Sequence, residues 1–430
     1  MKLKFKKIDL NIFLLFFLSY ITILIGFYFN EDSLGGARND FNYHFKISLL
    51  FAENFLKTFS DFGIVEIEGK INMKTRNSPL FWIILSQVSK LVSYDNLRII
   101  NSSVSILICL YFFKCLKIRF KQVDDFALAI IACTVFLSPT IRSLSIWPYS
   151  HIWGLLFFVI SIFYYLKFLD ANKDKDKFKK SLFTIFFVVI SAYLHPAFGI
   201  FFIFYFINFF LFYNFDKRIF FLLLISLLLA LPFLLYISSK DIFTAFENAQ
   251  GMSMDTYNTL NISNKILIIS AMTLFFIAPI LNIKLLKKEL IGLKSTETVI
   301  LILFCFLNIY FFSYPKYDSG FGGGFFYKLS NILFQNNYLF FFFSSFSIFY
   351  IYTILKDNLN NFLIFLILIL FNPQLTVYHK YYDPLILITL LTLTNFNIQK
   401  HYFKKKNNVL QLYFFSVCYL IIGIFKSHIY

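Results

Sequence analysis

Carboxylate, guanidinium and imidazole groups gather in the polar stretch that follows the first apolar run of the chain. Arg38, Asp40 and His44 lie close together there, and a helix would place Asp40 and His44 on one face. A carboxylate at this position could accept the proton of an incoming hydroxyl group. Asp40 and His44 could also bind a divalent cation, Mg²⁺ or Mn²⁺. Asp40 could also cap the following helix, since Asp is a preferred N-cap residue, and this role is compatible with the others.

A second charged cluster comes later in the same stretch and consists of Glu66, Glu68, Lys70, Lys74 and Arg76. One interpretation is a binding surface for phosphate or sugar groups. The other is a solvated loop, which the pattern of charges alone favours.

A short turn between two apolar runs late in the chain carries His379 and Lys380 beside Tyr378, Tyr381 and Tyr382. Aromatic belts with a lysine that reaches toward the headgroups are common at the membrane edge. Lysine and histidine at this depth could equally bind the phosphate of an anionic lipid carrier. The sequence leaves these two interpretations open.

Two other outward segments carry weaker candidates. His151 and His195 lie at the outer ends of apolar runs and, with His44 and His379, make a metal site conceivable, but their spacing gives it no support. A glycine-rich loop that contains Asp318 has no phosphate-loop pattern, so we expect a flexible or substrate-covering loop there.

The composition places the chain among membrane proteins. Of its 430 residues 59% are hydrophobic and 15% are charged, against roughly 25% charged in a soluble domain. A water-soluble fold could not bury that much apolar surface. The net charge of +17 comes mostly from side chains between apolar runs, so it follows the membrane topology and does not indicate nucleic-acid binding. The five cysteines lie within or beside apolar runs, which predicts buried thiols without disulfides.

Thirteen apolar runs predict an all-α membrane bundle of about thirteen transmembrane helices, since most approach the roughly 20 residues that cross the hydrocarbon. The first run is too long for a signal peptide and no small-residue cleavage site follows it, so we expect a retained helix. The runs are 10–29, 97–116, 124–141, 151–169, 181–195, 197–213, 218–238, 265–284, 297–314, 338–355, 361–377, 383–397 and 408–426.

Positive side chains predict the orientation of these helices. A cytoplasmic N-terminus places the basic segments Lys114–Lys121, Lys173–Lys180 and Lys284–Lys294 inside, and thirteen crossings then leave the C-terminus outside. Segment 79–94 is apolar, but every later loop would invert if it crossed. We therefore expect it to be an amphipathic helix at the membrane interface.

The first outward loop then covers residues 30–96 and is inserted between the first and second spans. From Asp40 onward, apolar residues recur at helical spacing, which predicts a helix lying flat on the membrane with its polar face upward. These residues are Phe41, Phe45, Leu49, Ala52 and Leu56. Without repeats or a disordered linker, the whole chain 1–430 is predicted to be a single transmembrane domain.

This layout resembles the GT-C superfamily of membrane glycosyltransferases, which includes protein mannosyltransferases and bacterial aminoarabinose transferases. The resemblance covers the N-terminal third best. It rests on Asp40 in RNDFNYH, SPLFW at 78–82, NLRIINSSVSIL at 96–107, SLSIWPYSHIWGLLFFVISIFYYL, and the late turn YHKYYDPLILI.

The chain also departs from the family pattern. Members often place two acidic residues together in the first loop, whereas Asp40 is followed by Phe41. Some carry an acidic and a basic residue directly before the proline, whereas Asn77 and Ser78 precede Pro79 here. These departures concern the metal and phosphate contacts more than the fold.

The resemblance implies transfer of a sugar from a polyprenyl-phosphate donor to a lipid- or glycan-linked acceptor, on the periplasmic face of the bacterial inner membrane. It gives Asp40 the role of general base, with inversion at the anomeric carbon. Substrate and phosphate contacts would come from Arg38, His44, Lys74, Arg76, His379 and Lys380.

Two other functions fit a many-spanning protein. O-antigen and polysaccharide polymerases more often place their large outward loop in the middle of the chain, whereas the dominant loop comes first here. Transporters and lipid flippases place charges at the midplane of their helices, and the apolar runs here carry almost none at mid-depth.

Overall fold

A computed structural model of the chain describes residues 10–62, 66–67, 71–72, 77–239, 261–280, 283–314, 322–356, 358–372, 376–395, 403 and 406–429. These residues are helical almost throughout, as the apolar runs predict. The only strands among them are β1 (Glu66–Ile67) and β2 (Ile71–Asn72), which pair antiparallel in the first polar loop. Lys74, Arg76 and Asp318 lie outside the described residues.

Nineteen α-helices lie within the described residues. In chain order they are α1 (Leu10–Tyr28), α2 (Ala37–Glu53), α3 (Phe55–Asp61), α4 (Leu80–Ser89), α5 (Tyr94–Arg119), α6 (Asp125–Cys133), α7 (Pro139–Ile146), α8 (Ser150–Asp170), α9 (Asp174–Leu194), α10 (Phe201–Tyr213), α11 (Lys217–Ser239), α12 (Asn261–Ile277), α13 (Ile283–Ile291), α14 (Ser295–Tyr310), α15 (Gly324–Phe334), α16 (Tyr338–Leu355), α17 (Leu359–Leu370), α18 (Leu385–Thr392) and α19 (Lys406–Ile429). Short 3₁₀ turns cover Thr134–Leu137, Pro196–Ile200, Ala278–Ile280 and His379–Tyr381.

The chain forms two compact units. The first contains both ends of the sequence, Met1–Ile242 and Phe403–Tyr430, and the second is Phe243–Tyr402. The first unit therefore holds α1–α11 and α19, and the second holds α12–α18. The assignment of 1–430 to a single transmembrane domain stays a prediction.

Eight of the described helices are long and apolar enough to cross a membrane, and the bent pair Asp125–Leu137 and Pro139–Ile146 is a ninth candidate if it is one span. The chain is therefore a multi-spanning, all-helical membrane protein. The eight candidates are Leu10–Tyr28, Tyr94–Arg119, Ser150–Asp170, Pro196–Tyr213, Lys217–Tyr236, Ile262–Ile280, Tyr338–Leu355 and Asn407–Phe425.

The other four apolar runs form helices that fall short of these criteria. α9 is 21 residues long, but its first turns carry aspartates and lysines. α14, α17 and α18 have only 16, 12 and 8 helical residues, against roughly 20 for a full crossing. Hydropathy alone thus predicts apolar character correctly at these positions, but not the length of regular helix.

α6 and α7 meet at a sharp break. The two helices are bent by 64°, and the Ser138 hydroxyl accepts a hydrogen bond from the Ile141 N–H while Pro139 opens α7. The C-terminal helix α19 lies against this break, since a Cβ at Gly423 would come 2.9 Å from Pro139 Cγ. A proline at the first helical position tolerates such a break because its missing N–H needs no partner.

Small side chains bring the helices of the first unit together. The Ser191 hydroxyl on α9 donates to the Gly154 carbonyl on α8 (2.6 Å), at a point where Gly154 leaves room for the Phe198 ring. Close backbone approach at Gly and Ser is typical of helix packing in membranes. The five cysteines are free, and all but Cys418 are buried, which confirms their prediction as thiols without disulfides.

The helix predicted from Asp40 onward is present as α2. α2 buries Phe41, Ile47 and Phe51, whereas Leu49 is 39% exposed. The helix ends at Glu53, so Leu56 belongs to α3, where it is 79% exposed. Of the predicted apolar stripe, Phe41 is therefore buried in the protein, whereas Leu49 and Leu56 face outward. The position of this helix flat on the membrane stays a prediction.

Candidate functional site

The polar turn after α1 is fastened to α7 by a buried ion pair. Arg142 donates from Nε to Glu31 Oε1 (2.7 Å) and from Nη2 to Glu31 Oε2 (2.5 Å). Its Nη1 and Nη2 also donate to the hydroxyl and carbonyl oxygens of Thr22 on α1, each at 2.9 Å. The side chains of Arg142 and Glu31 are 5% and 10% exposed. Such a paired, fully hydrogen-bonded arrangement is what burial of two charges requires.

Three further hydrogen bonds hold the same turn against α7 and the residue after it. The Leu34 N–H donates to Ser143 Oγ (2.8 Å), and the Ser33 hydroxyl donates to the Pro139 carbonyl (3.1 Å). The Trp147 indole N–H donates to the Glu31 carbonyl (3.0 Å). The backbone that leads into α2 is therefore fixed in position.

Gly26 on α1 makes room for the Glu31 carboxylate. A Cβ at Gly26 would lie 2.3 Å from Glu31 Oε2 and 3.0 Å from Arg142 Nη2, closer than any real contact. The ion pair therefore depends on the glycine five residues before Glu31.

Asp32, and not Asp40, caps the start of α2. Its carboxylate accepts hydrogen bonds from the N–H groups of Gly35 (3.1 Å) and Arg38 (3.2 Å). α2 begins at Ala37, so Asp40 lies inside the first turn. The interpretation of Asp40 as the N-cap is therefore wrong, because the chain turns at Gly35 and Gly36, both with positive φ, before the helix begins.

Two guanidinium groups lie against the ring of Trp147. Arg98 Cζ is 3.7 Å from the ring centroid, and Arg38 Cζ is 5.5 Å from it. Arg98 is buried and donates to the Ile146 carbonyl, Asp95 and Asn30. Arg38 is exposed and forms no ion pair with any residue that the structure describes. A positive field of two guanidinium groups, one of them open to solvent, favours an anion beside Trp147.

Asp40 is half-buried in the same first turn of α2 that carries Arg38. The two side chains are two residues apart, and the N–H of Arg38 is held by Asp32. This turn thus presents a cation and a carboxylate from one rigid piece of backbone.

His44 lies one turn further along α2 and is only 7% exposed. The Trp82 indole N–H donates to His44 Nδ1 (3.0 Å), and the Tyr149 ring centroid is 4.9 Å from that of His44. Because an indole N–H only donates, Nδ1 is the accepting nitrogen of His44. A substrate role for His44 stays a prediction.

A divalent cation at Asp40 and His44 stays a prediction. Nowhere in the described ranges do three or more His, Cys, Asp or Glu side chains form a group that could hold an ion. His151 and His195 do meet, with ring centroids 4.8 Å apart, but they lie among aromatic rings such as Phe198. We therefore derive no step through Mg²⁺ or Mn²⁺.

His379 and Lys380 belong to the second unit, where they form a 3₁₀ turn. The His379 ring centroid is 5.6 Å from that of Phe276, and Lys380 Nζ is 5.7 Å from the rings of Tyr378 and Tyr381. These aromatic surroundings are those of a membrane-edge belt. A phosphate contact by either side chain stays a prediction.

The described end of the glycine-rich loop closes on that same turn. The Gly323 N–H donates to the Val377 carbonyl (3.0 Å), and a Cβ at Gly322 would lie 2.5 Å from that oxygen. Gly322 to Gly324 all have positive φ. Glycine is needed here for close backbone approach, a role that the interpretation as a flexible covering loop did not include.

The analysis of sequence motifs did not single out Glu31, Arg98, Arg142 or Trp147. One signal was available, because Arg98 and Arg142 are cations at the edges of apolar runs and each needs a partner when buried. Glu31 and Asp32 form the adjacent acidic pair of the loop, and the structure gives both a structural contact.

No protein-family model matches the chain, and neither the curated proteins nor the solved structures contain a match to it.

Proposed function

We propose that the protein is a membrane glycosyltransferase that moves a sugar from a polyprenyl-phosphate donor to a lipid- or glycan-linked acceptor, at the periplasmic face of the inner membrane. The observation that carries the proposal is the exposed Arg38 guanidinium, which lies with Arg98 against Trp147 in the same turn as Asp40. A phosphate group fits the cationic side of this arrangement, and a hydroxyl nucleophile fits the carboxylate.

The bond changes of the proposed reaction are those of a single displacement. The acceptor hydroxyl oxygen attacks the anomeric carbon, and the bond from that carbon to the phosphate oxygen breaks. The hydroxyl proton passes to the Asp40 carboxylate, and the bonding electron pair leaves with the polyprenyl phosphate. Arg38 stabilises the charge on the leaving phosphate, and the anomeric configuration inverts.

The fixed position of the start of α2 supports the proposed catalytic role of Arg38 and Asp40. Catalytic groups must be held to within fractions of an ångström, and the Glu31–Arg142 pair and the Asp32 cap fix the backbone that carries Arg38 and Asp40. Glu31 and Asp32 are occupied by these contacts. We assign proton transfer to Asp40, which the GT-C resemblance gives this role and which lies two residues from Arg38 in the first turn of α2.

The remaining basic residues have secondary places in the proposal. Lys74 and Arg76 would extend the cationic surface from the same outward loop, and His44 would contact the sugar. His379 and Lys380 would bind the carrier phosphate at headgroup depth from the second unit. Each of these assignments follows from the GT-C resemblance.

The proposed topology has thirteen crossings in a bacterial inner membrane, with the N-terminus in the cytoplasm and the C-terminus outside. Support comes from the count of helices, because the eight candidate spans, the bent pair and the helices α9, α14, α17 and α18 add up to the thirteen apolar runs. The exposed apolar stripe of α2 and α3 supports an interfacial position for these helices, since Leu49, Phe55 and Leu56 face outward.

The reaction is tested with the full chain reconstituted into nanodiscs and a panel of polyprenyl-phosphate monosaccharides. The panel is offered with lipid and glycan extracts as acceptors. Release of polyprenyl phosphate, read by mass spectrometry, is common to every sugar donor. We expect release with at least one donor, and loss of that release in Asp40→Asn.

The matched control is Asp61→Asn, an acid of the same loop at the end of α3. Near-normal turnover in Asp40→Asn, with Asp61→Asn also active, would contradict the assignment of the base. Release only from oligosaccharide-lipid donors would point to a polymerase instead. Movement of a labelled lipid across the bilayer without bond cleavage would point to a flippase.

A further inference from the structure

An open groove runs along the outside of the second unit, between α14 and α16. Its volume is about 590 Å³, and α13 closes one end of it. The lining includes Leu290, Leu293, Thr298, Ile309, Phe341 and Phe349. The surface is therefore almost wholly apolar, which suits a hydrocarbon chain better than a sugar or a peptide.

The shape of the groove follows from the two helices that line it. Thr298 lies near the start of α14 and Ile309 near its end, so the groove follows the helix for about 16 Å. α16 runs antiparallel to α14, because Lys356 at its end interacts with Glu297 at the start of α14, and the ring of Phe341 near its start lies 5.3 Å from that of Phe312 just after α14. One leaflet of hydrocarbon is about 15 Å thick, half of the usual core. The groove thus matches one acyl chain that enters from one membrane surface.

The α13 end of the groove is rich in lysine. Lys287 and Lys288 are exposed on α13 next to Leu290, and Lys294 is exposed next to Leu293. Lys356 lies at the end of α16, close enough to Glu297 to interact with it electrostatically.

Two acidic residues occupy the same end, and one of them is engaged. The Glu297 carboxylate accepts a hydrogen bond from the Lys294 N–H (3.0 Å), so it caps α14. Glu289 is exposed on α13. Four lysines against these two acids leave an excess of positive charge at the mouth of an apolar groove.

We propose that this groove binds one anionic glycerophospholipid, with an acyl chain along α14 and α16 and its phosphate beside Lys287, Lys288 and Lys294. Charge complementarity selects an anionic headgroup over a zwitterionic one, and the apolar lining selects a lipid over a free phosphate. The pattern of positive residues places Lys284–Lys294 on the cytoplasmic side. The lipid is therefore one of the inner leaflet, on the side opposite to the proposed sugar transfer.

The binding is tested with the full chain in nanodiscs that contain equal amounts of phosphatidylglycerol and phosphatidylcholine. Native mass spectrometry then counts the lipids that stay bound. We expect one retained phosphatidylglycerol, and at least tenfold weaker retention in Lys287→Gln/Lys288→Gln/Lys294→Gln, since each lysine near a headgroup contributes roughly a fivefold change. A matched control removes the same charge from another basic segment, as Lys173→Gln/Lys175→Gln/Lys179→Gln.

A second variant tests the groove itself. Ser345→Phe places a ring among the lining residues and should exclude the acyl chain, whereas Ile302→Phe adds the same ring at a position 55% exposed on α14 and should not. A phosphatidylglycerol with a photoreactive group at its chain end should crosslink to peptides that contain Ile309 or Phe341 in the wild type only.

Several results would overturn the proposal. Equal retention of both lipids, or equal loss in both lysine variants, would remove the charge selection. Crosslinks that survive Ser345→Phe would place the lipid elsewhere. Displacement of phosphatidylglycerol by polyprenyl phosphate at equal concentration would identify the groove as a site for the carrier.

Discussion

Glu31 and Arg142, separated by 111 residues in the sequence, form a two-point hydrogen-bonded ion pair inside the first unit. The pair joins the turn after α1 to α7, and Arg142 also holds α1 through Thr22. The first turn of α2, which carries the proposed catalytic groups Arg38 and Asp40, is therefore held in place by a contact that lies outside that turn.

Removal of one partner of this pair should destabilise the protein strongly. Glu31→Gln leaves the Arg142 guanidinium buried without its counter-charge, which costs about 3–5 kcal/mol in comparable cases. The free energy of unfolding, measured by denaturant titration in mild detergent, checks this. Asp170→Asn is the control, since the Lys121–Asp170 pair is exposed and should contribute about 1 kcal/mol or less.

A double variant tests whether the loss of stability comes from the unpaired buried charge or from the change in side-chain shape. Glu31→Leu/Arg142→Met should be less harmful than Glu31→Gln alone, because no unpaired charge remains buried. A double variant as unstable as the single one would mean that shape, and not charge, decides this contact.

Gly26→Ala should be destabilising because of one identified clash. The new Cβ would lie 2.3 Å from Glu31 Oε2, and overpacking of this kind costs about 1–3 kcal/mol. The loss should shrink when Glu31 is also changed to Ala. Gly292→Ala, whose nearest neighbour would be 3.4 Å away, is the matched control and should be tolerated. Equal losses in the presence and absence of the Glu31 side chain would refute the clash.

Arg38→Gln should weaken donor binding and also slow the chemical step, because the guanidinium contacts the phosphate both before and after the bond to the sugar breaks. A charge-assisted hydrogen bond to phosphate contributes about 1.5–3 kcal/mol, so we expect roughly a tenfold to hundredfold rise in KM for the polyprenyl-phosphate sugar. Lys46→Gln, another exposed cation of α2, should leave KM unchanged. A KM for Arg38→Gln equal to that of the wild type would remove this arginine from the phosphate site.

Asp40→Asn should act on the rate and not on binding. General-base catalysis contributes about a hundredfold to ten-thousandfold, so kcat should fall by that factor while KM changes little. Single-turnover measurement of polyprenyl phosphate release checks this. An unchanged kcat alongside a raised KM would make Asp40 a binding residue instead.

Gly322→Ala should cost more than Gly35→Ala, although both glycines have a positive φ. Strain at φ is common to the two, at about 1 kcal/mol. A new Cβ at Gly322 would also lie 2.5 Å from the Val377 carbonyl oxygen, whereas a new Cβ at Gly35 would have no atom within 4 Å. Unfolding free energies of the two variants in parallel provide the comparison, and equal values would mean that the contact with Val377 is dispensable.

The sequence was sufficient for the parts of the fold that depend on local pattern. Apolar runs predicted the helices, and the spacing from Asp40 onward predicted α2. The cysteines were correctly interpreted as free thiols. These features depend on side-chain polarity within a few turns, which a single sequence displays directly.

The remaining features depend on contacts between distant segments. The Asp40 cap was wrong because α2 begins earlier, at Ala37, and Asp32 accepts from the Gly35 and Arg38 N–H groups ahead of it. The burial of His44 depends on Trp82, a residue on another helix whose indole N–H donates to it. No local pattern predicts either contact, since each needs the tertiary structure that places its partner.

The break between α6 and α7 also affects the order in which the protein is assembled. Arg142 leaves the ribosome more than a hundred residues after Glu31, and the helix that packs against Pro139 at Gly423 is made after every other helix described above. Because helices enter the membrane in order from the N-terminus, the turn after α1 gains its contact with Arg142, and α7 its contact with α19, only after these later segments have been made. A chain released before α19 would thus have all of its proposed chemical groups and yet lack the completed support for them.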